Sequence, residues 1–372
     1  MSRLALPDGD EGWLVSRYDD VAAVLTNPAF TVERRGFNNA VSTERITDEE
    51  LWDAGIAPTS MAMDPPDHTR YRGMLQGQFT VRRMRSLLPQ IEALVEECLD
   101  AMESQGPPVD LMEEFAFAIP AIVICDLLGI PPADRAEFKS RIETLNLDIP
   151  KSEKLGAIRF LGMYMRGLVE EKRRNPDDAL ISGLIQAVPE DGVPLKVEEI
   201  LGLGNLLLIA GHETTANMIG LGTLALLTHP DQWASVRDHP ESIDRTVEEL
   251  LRYVSIVEFG LLRVAAEDTK VGGQPVAAGE KIIVSLASAD RDPAHFESPD
   301  TLDLNRGSVR HLGFGYGAFQ CLGQQLARLE LRVALSRLAQ RFPNLTLATD
   351  VDELRARPDS TIYGVDKLLV SW

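Results

Sequence analysis

The chain has 372 residues, 44% hydrophobic and 25% charged, with a formal net charge of −20. Such a composition is that of an ordinary globular protein, and the acidic excess excludes nucleic acid as a partner, because phosphate binding needs a basic face. No stretch reaches about 18 uncharged apolar residues, so no membrane span is expected, and the N-terminus turns polar at once, unlike a signal peptide.

In chain order, LALPDGDEGWLVSRY reads as a hairpin around Pro-Asp-Gly, and DDVAAVLTN as a short helix. Phe30 to Pro58 is irregular and polar and reads as a long loop, a kind that is often functional. From Asp67 to Gly192 helical patterns dominate. TVRRMRSLLPQIEALVEECLDAMESQ places Met84, Leu87, Leu88, Ile91, Leu94, Val95 and Leu99 on one helical face. Val197 to His229 reads as a long helix, roughly 50 Å at about 1.5 Å per residue. It is apolar almost all round, which predicts burial. After Arg252 the texture changes. KVGGQPVAAGEKIIVSLAS reads as a β-hairpin and strand with glycine turns. CLGQQLARLELRVALSRLAQRF reads as a helix with Leu322, Leu326, Leu329 and Val333 on one stripe, and the C-terminus as short strands. The expected architecture is mainly α with a minor β region, in a single domain over residues 1–372.

The three cysteines, Cys98, Cys125 and Cys321, are odd in number and far apart. That spacing fits neither a disulfide framework nor a zinc site, and it suits a reducing cytoplasm. Cys321 stands out, because it follows a glycine-rich loop and opens a helical pattern. A lone cysteine there can be a small buried hydrophobe. A helix N-terminus, however, offers unpaired N–H groups and the positive end of a dipole, which favour a thiolate. Gly313, Gly315, Gly317 and Gly323 would let backbone approach a large flat object. A nucleophilic thiolate would need a general base that the sequence does not place; a metal-ligating one needs none.

FGYGAFQCLG resembles the haem-binding loop of cytochromes P-450, Phe-Gly-x-Gly-x-His-x-Cys-x-Gly. Phe314, Gly315, Gly317, Cys321 and Gly323 match, while Phe319 stands where the family has His or Arg. Three further motifs resemble the family in the same order. AGHETT, Ala210 to Thr215, is similar to the oxygen-binding groove of the long central helix. EELLR holds the Glu249–Arg252 pair, and RDPAHF resembles the meander whose arginine, Arg291, completes a triad with that pair. MDPPDHTRYR, FTVRRM and STIYG resemble the soluble, actinomycete-type bacterial class.

The resemblance implies the cytochrome P-450 fold, with a long central helix over a buried haem. It implies haem b (iron protoporphyrin IX) as cofactor, Cys321 as the thiolate ligand that favours O–O cleavage, and dioxygen as co-substrate. Glu213 and Thr214 would be an acid–alcohol pair delivering protons to dioxygen, with Ala210 and Gly211 giving oxygen room. His212 would pack or bond locally. The propionates need cationic partners, by resemblance His68, Arg72, Arg263 and His311. Phe319 then implies a missing anchor and weaker haem retention, partly relieved by Gln320. Met61, Leu207 and Phe259 are expected in the substrate pocket. Electrons would come from a ferredoxin and an NAD(P)H-dependent ferredoxin reductase, docking near Arg82, Arg83 and Arg85. The expected activity is hydroxylation or epoxidation of a hydrophobic small molecule, in secondary metabolism or xenobiotic oxidation. The alternatives are a peroxide-driven peroxygenase and a non-catalytic haem sensor, neither of which needs Glu213 and Thr214. Against the family pattern, the N-terminal helix is expected to be missing.

Overall fold

The computed structural model describes residues 1–6, 9–32, 49–50, 63–146, 149–189, 192–257, 261–307, 309–356 and 362–372. Most of the Phe30 to Pro58 loop expected from the sequence lies outside them. The sequence was read as one domain; contacts within the chain group into two compact units. The first is assembled from Met1–Thr43, Met84–Ile119 and Thr214–Trp372, the second from Glu44–Arg83 and Pro120–Glu213.

The strands in chain order are β1 (Ser2–Ala5), β2 (Glu11–Val15), β3 (Phe30–Thr31), β4 (Val109–Asp110), β5 (Leu261–Ala265), β6 (Thr269–Val271), β7 (Gln274–Val276), β8 (Lys281–Val284), β9 (Thr346–Leu347) and β10 (Leu369–Ser371). All lie in the first unit. The N-terminal hairpin pairs Ser2 with Leu14 and Ala5 with Glu11. It joins a five-stranded sheet of order β1-β2-β8-β5-β3. Side chains alternate across a strand, so Ile282 and Val284 enter one core with Val15, Val24, Leu25 and Phe30. Ile283, between them, packs on the other side with Leu6 and Leu262. Leu312, which opens the glycine-rich loop, is 1% exposed and belongs to the first of these cores. The loop therefore starts from a fixed point.

The helical face read from Thr80 to Gln105 is real but broken. The structure has Val81–Ser86 and then Leu88–Gln105. Pro89 accounts for the break, since it lacks an N–H and its ring would clash with the carbonyl four residues back. Ile91, Leu94, Val95 and Leu99 are buried as the period demands. Acids on the same helix, Glu96, Asp100 and Glu103, all pair with Arg341 of helix Gln324–Arg341. That last helix begins three residues later than the sequence suggested, leaving Cys321 and Leu322 in the turn before it.

In the second unit, helices Asp67–Gln76, Arg135–Asn146, Lys151–Arg174 and Leu180–Gln186 carry the apolar stripes. Phe138 and Tyr164 rings pack at 5.1 Å. The central helix, Val197–Leu227, has 31 residues, about 46 Å of rise. It begins in the second unit and ends in the first. Among the described residues no helix is long and apolar enough to cross a membrane.

Within the first unit this helix is packed closely: a Cβ on Gly220 would press on the Met112 sulphur. Gly220→Val should therefore cost about 2 kcal/mol by overpacking. A urea midpoint equal to wild type would show that Met112 yields freely.

Candidate functional site

The loop after Leu312 is shaped by its glycines. Gly315 and Gly317 have φ of +71° and +76°, values that L side chains rarely adopt. At Gly317 a side chain is also crowded, because a Cβ would lie 3.1 Å from the Leu25 carbonyl and 3.0 Å from Thr26. The loop closes on itself: Gly315 N–H donates to Leu312 O at 2.6 Å, and Cys321 N–H to Phe314 O at 2.8 Å. Cys321 is half-buried and outside any disulfide. Beside it the backbone is open. A Cβ on Gly323 would meet nothing within 4 Å, and one on Gly315 nothing closer than 3.9 Å.

Charged side chains on helix Ile243–Val254 hold this loop. Arg328 grips Glu248 through Nε and Nη2 at 2.5 and 3.0 Å, and its guanidinium lies 4.6 Å from the Phe314 ring centre. His311 Nε2 lies 3.1 Å from Glu248, and its Nδ1 accepts the Gly313 N–H at 3.1 Å. Burial alone would raise the Glu248 carboxyl, but His311 and Arg328 outweigh it and hold it near about 2. The sequence reading set His311 against a propionate; here both ring nitrogens are engaged by the protein.

One residue on, Glu249 and Arg252 form a two-pronged pair at 2.8 Å, 1% and 0% exposed. Arg252 also donates to the carbonyls of Asp290, Pro299 and Thr301. The arginine completing this cluster is not Arg291. Arg306 Nε reaches both Glu249 oxygens at 3.1 Å, while Arg291 pairs with Asp300 and the Tyr253 carbonyl. The reason is position. Arg252 engages the 290–301 backbone through carbonyls alone, so the chain must run on to 306 before a side chain turns back to Glu249. Sequence reading also missed Asp290, whose carboxylate takes the Leu312 N–H at 2.6 Å. Burial pushes its carboxyl up to about 7, against the opposing pull of that N–H and of His311 and Arg252.

The central helix is buried along both halves but not in its middle. Ile209 is 48% exposed, Ala210 is exposed, and Gly211, Glu213 and Thr214 are half-buried. His212 is fully buried. A Cβ on Gly211 would sit 3.2 Å from Ile124. Asn217, three residues after Thr214, is fully buried with neither amide atom bonded among the described residues. Such groups are met by ordered water or a ligand. Leu207 is buried, whereas Ile209, which the sequence reading passed over, is not. Met61 and Phe259 lie outside the described residues. In the second unit, His68 and Arg72 stand four apart on helix Asp67–Gln76, His68 5% exposed. In the first, Arg263 on β5 is 6% exposed.

Comparison with known proteins decides the family. The cytochrome P-450 family model matches residues 147–359. Cytochrome P-450 105C1 of a Streptomyces species is 44% identical over 375 residues, covering 100% of this chain and 92% of that protein. The chain belongs to the cytochrome P-450 family.

Vitamin D(3) 25-hydroxylase of Pseudonocardia autotrophica is a further relative, 43% identical and covering 99% of this chain and 90% of its own. The solved structure of the mycinamicin VIII methyl hydroxylase MycCI of Micromonospora griseorubida, bound to mycinamicin VIII, superposes with a TM-score of 0.90. Its identity is 37%, with 100% of this chain and 93% of that one covered. This cytochrome P-450 is thus a haem-dependent monooxygenase that uses dioxygen. The residues present suit that cofactor: a thiol on a glycine loop with open backbone beside it, and a central helix whose exposed residues, Ile209 and Ala210, stand just before its half-buried acid–alcohol pair.

Two outcomes test the scaffold of this cytochrome P-450. Arg306→Leu leaves Glu249 short of a partner and should cost about 3 kcal/mol, while Arg291→Leu, which loses the exposed Asp300, should cost well under that. Equal urea midpoints would return Arg291 to the cluster. For Asp290, the folded carboxyl near about 7 lies above its ordinary 3.8. The stability it contributes is fully present below about pH 4 and lost as pH rises through 7. Asp290→Asn should therefore gain on wild type between pH 5 and 8 in paired urea titrations. A difference that stays flat with pH would contradict this.

Proposed function

We propose that this cytochrome P-450 hydroxylates or epoxidises a medium-to-large hydrophobic small molecule in secondary metabolism. Its electrons come from a ferredoxin and an NAD(P)H-dependent ferredoxin reductase. The observation that carries this reading is the adjacent Glu213 and Thr214, half-buried just after the exposed Ile209 and Ala210 of an otherwise buried central helix. A carboxylate and a hydroxyl half-withdrawn from water are costly inside a leucine-rich helix, and a peroxide-driven enzyme or a haem sensor has no need of them. The activities for which relatives are named, a vitamin D(3) hydroxylase and a mycinamicin VIII hydroxylase, support a bulky apolar substrate.

When bound, haem supplies the iron at which dioxygen is activated, with the Cys321 thiolate as its protein ligand. Everything else falls to this chain. Glu213 holds a proton and Thr214 presents it through its hydroxyl. Ile209 and Ala210 give substrate an apolar wall and exclude water, so that the proton moves along side chains rather than through bulk solvent. His68, Arg72 and Arg263 supply cationic partners for the propionates. His311, already engaged by Glu248 and Gly313, holds the loop. For docking of an acidic ferredoxin, Arg82 and Arg85 are exposed. Arg83 is tied to Gln78 and the Asp178 carbonyl and serves the fold instead.

Glu213→Gln and Thr214→Ala should each slow product formation about a hundredfold, the usual worth of a placed proton donor. Substrate-induced spectral shifts should persist in both. The assay is turnover of a panel of vitamin D(3), mycinamicin-like and terpenoid compounds with ferredoxin, reductase and NADPH. Equal turnover from hydrogen peroxide alone, unaffected by either substitution, would favour the peroxygenase reading.

A further inference from the structure

Phe319 replaces the basic residue of the family loop, and the structure gives it a partner. It ends the short turn Gly317–Phe319, two residues before Cys321. The Arg263 guanidinium carbon lies 5.2 Å from its ring centre. Arg263 is 6% exposed, and its Nη1 donates to the Leu262 carbonyl at 2.8 Å. An aromatic face within about 6 Å of a guanidinium attracts it, most strongly when both are desolvated. The arginine thus has two fixed points, one on its own strand β5 and one on the cysteine loop.

We propose that Phe319 is a positioning residue for haem binding: its ring holds the Arg263 guanidinium in the orientation in which that cation meets a propionate. This rests on the haem reading above. It changes the meaning of the departure from the family pattern. A histidine or arginine at 319 would be a second cation close to Arg263, and the two would repel. Phenylalanine removes that repulsion and fixes the remaining cation. The substitution is then a different way of building the anchor, rather than the loss of one. Because lysine lacks the flat guanidinium that stacks on a ring, the effect should belong to arginine specifically.

The test is the rate of haem loss into excess apomyoglobin, measured on purified holoprotein. Phe319→Leu keeps the apolar bulk and removes the face; it should speed loss about fivefold, the worth of a partly buried cation–π contact. Phe319→Trp, which keeps a face, should not speed it. Arg263→Lys should also lose haem faster, and adding Phe319→Leu to it should change little. A loop merely loosened by Phe319→Leu would instead lose haem faster in both backgrounds, which would overturn the proposal. So would an unchanged rate in Phe319→Leu, or slower loss in Phe319→His, the mark of a missing anchor. Wild-type protein that takes up no haem would fail the haem reading itself, and this inference with it.

Discussion

The site depends on one buried ion pair. Glu249 and Arg252 are almost wholly withdrawn from water, and two charges so placed are tolerable only if their remaining hydrogen-bonding capacity is met. It is met by a single stretch of chain. Arg252 takes the carbonyls of Asp290, Pro299 and Thr301, and Glu249 takes the Asp303 N–H and Arg306. Irregular backbone from 290 to 306 is thereby tied at several points to one helix. That stretch leads directly to Leu312 and the cysteine loop, so the cost of burying the pair is offset by order delivered where the chemistry is.

The neighbouring acid extends the same logic by one residue. Glu248, about 100° further round the same helix, binds His311 and Arg328, which both lie against Phe314. Asp290 adds a third tie through the Leu312 N–H. Positive φ at Gly315 and Gly317 then lets the backbone double back, closing the Phe314–Cys321 bond. Cys321 owes its position to these ties more than to the helix behind it, which starts only at Gln324.

Much of this was legible in the sequence because it is local. The N-terminal strand pairing, the long apolar helix and the Phe-Gly-x-Gly-x-x-x-Cys loop each write their structure in spacing and residue type. What the sequence hid is what depends on distant partners. Arg291 and Arg306 look alike in a string, and only the fold shows which one turns back to Glu249. Nothing in the string places Glu248 beside His311. That Arg263 lies over the Phe319 ring is likewise invisible in the string. Ile209 is indistinguishable from the buried leucines around it except by exposure.

The central claim is that the tied-down loop presents Cys321 as a thiolate to haem iron. The most direct measurement is the carbon monoxide difference spectrum of the reduced protein, recorded for wild type and Cys321→Ala. The account predicts a Soret band at the strongly red-shifted position of thiolate-ligated haem in wild type and its absence in the variant. A wild-type band at the position of imidazole or neutral thiol ligation, or a red-shifted band that survives in Cys321→Ala, would contradict it.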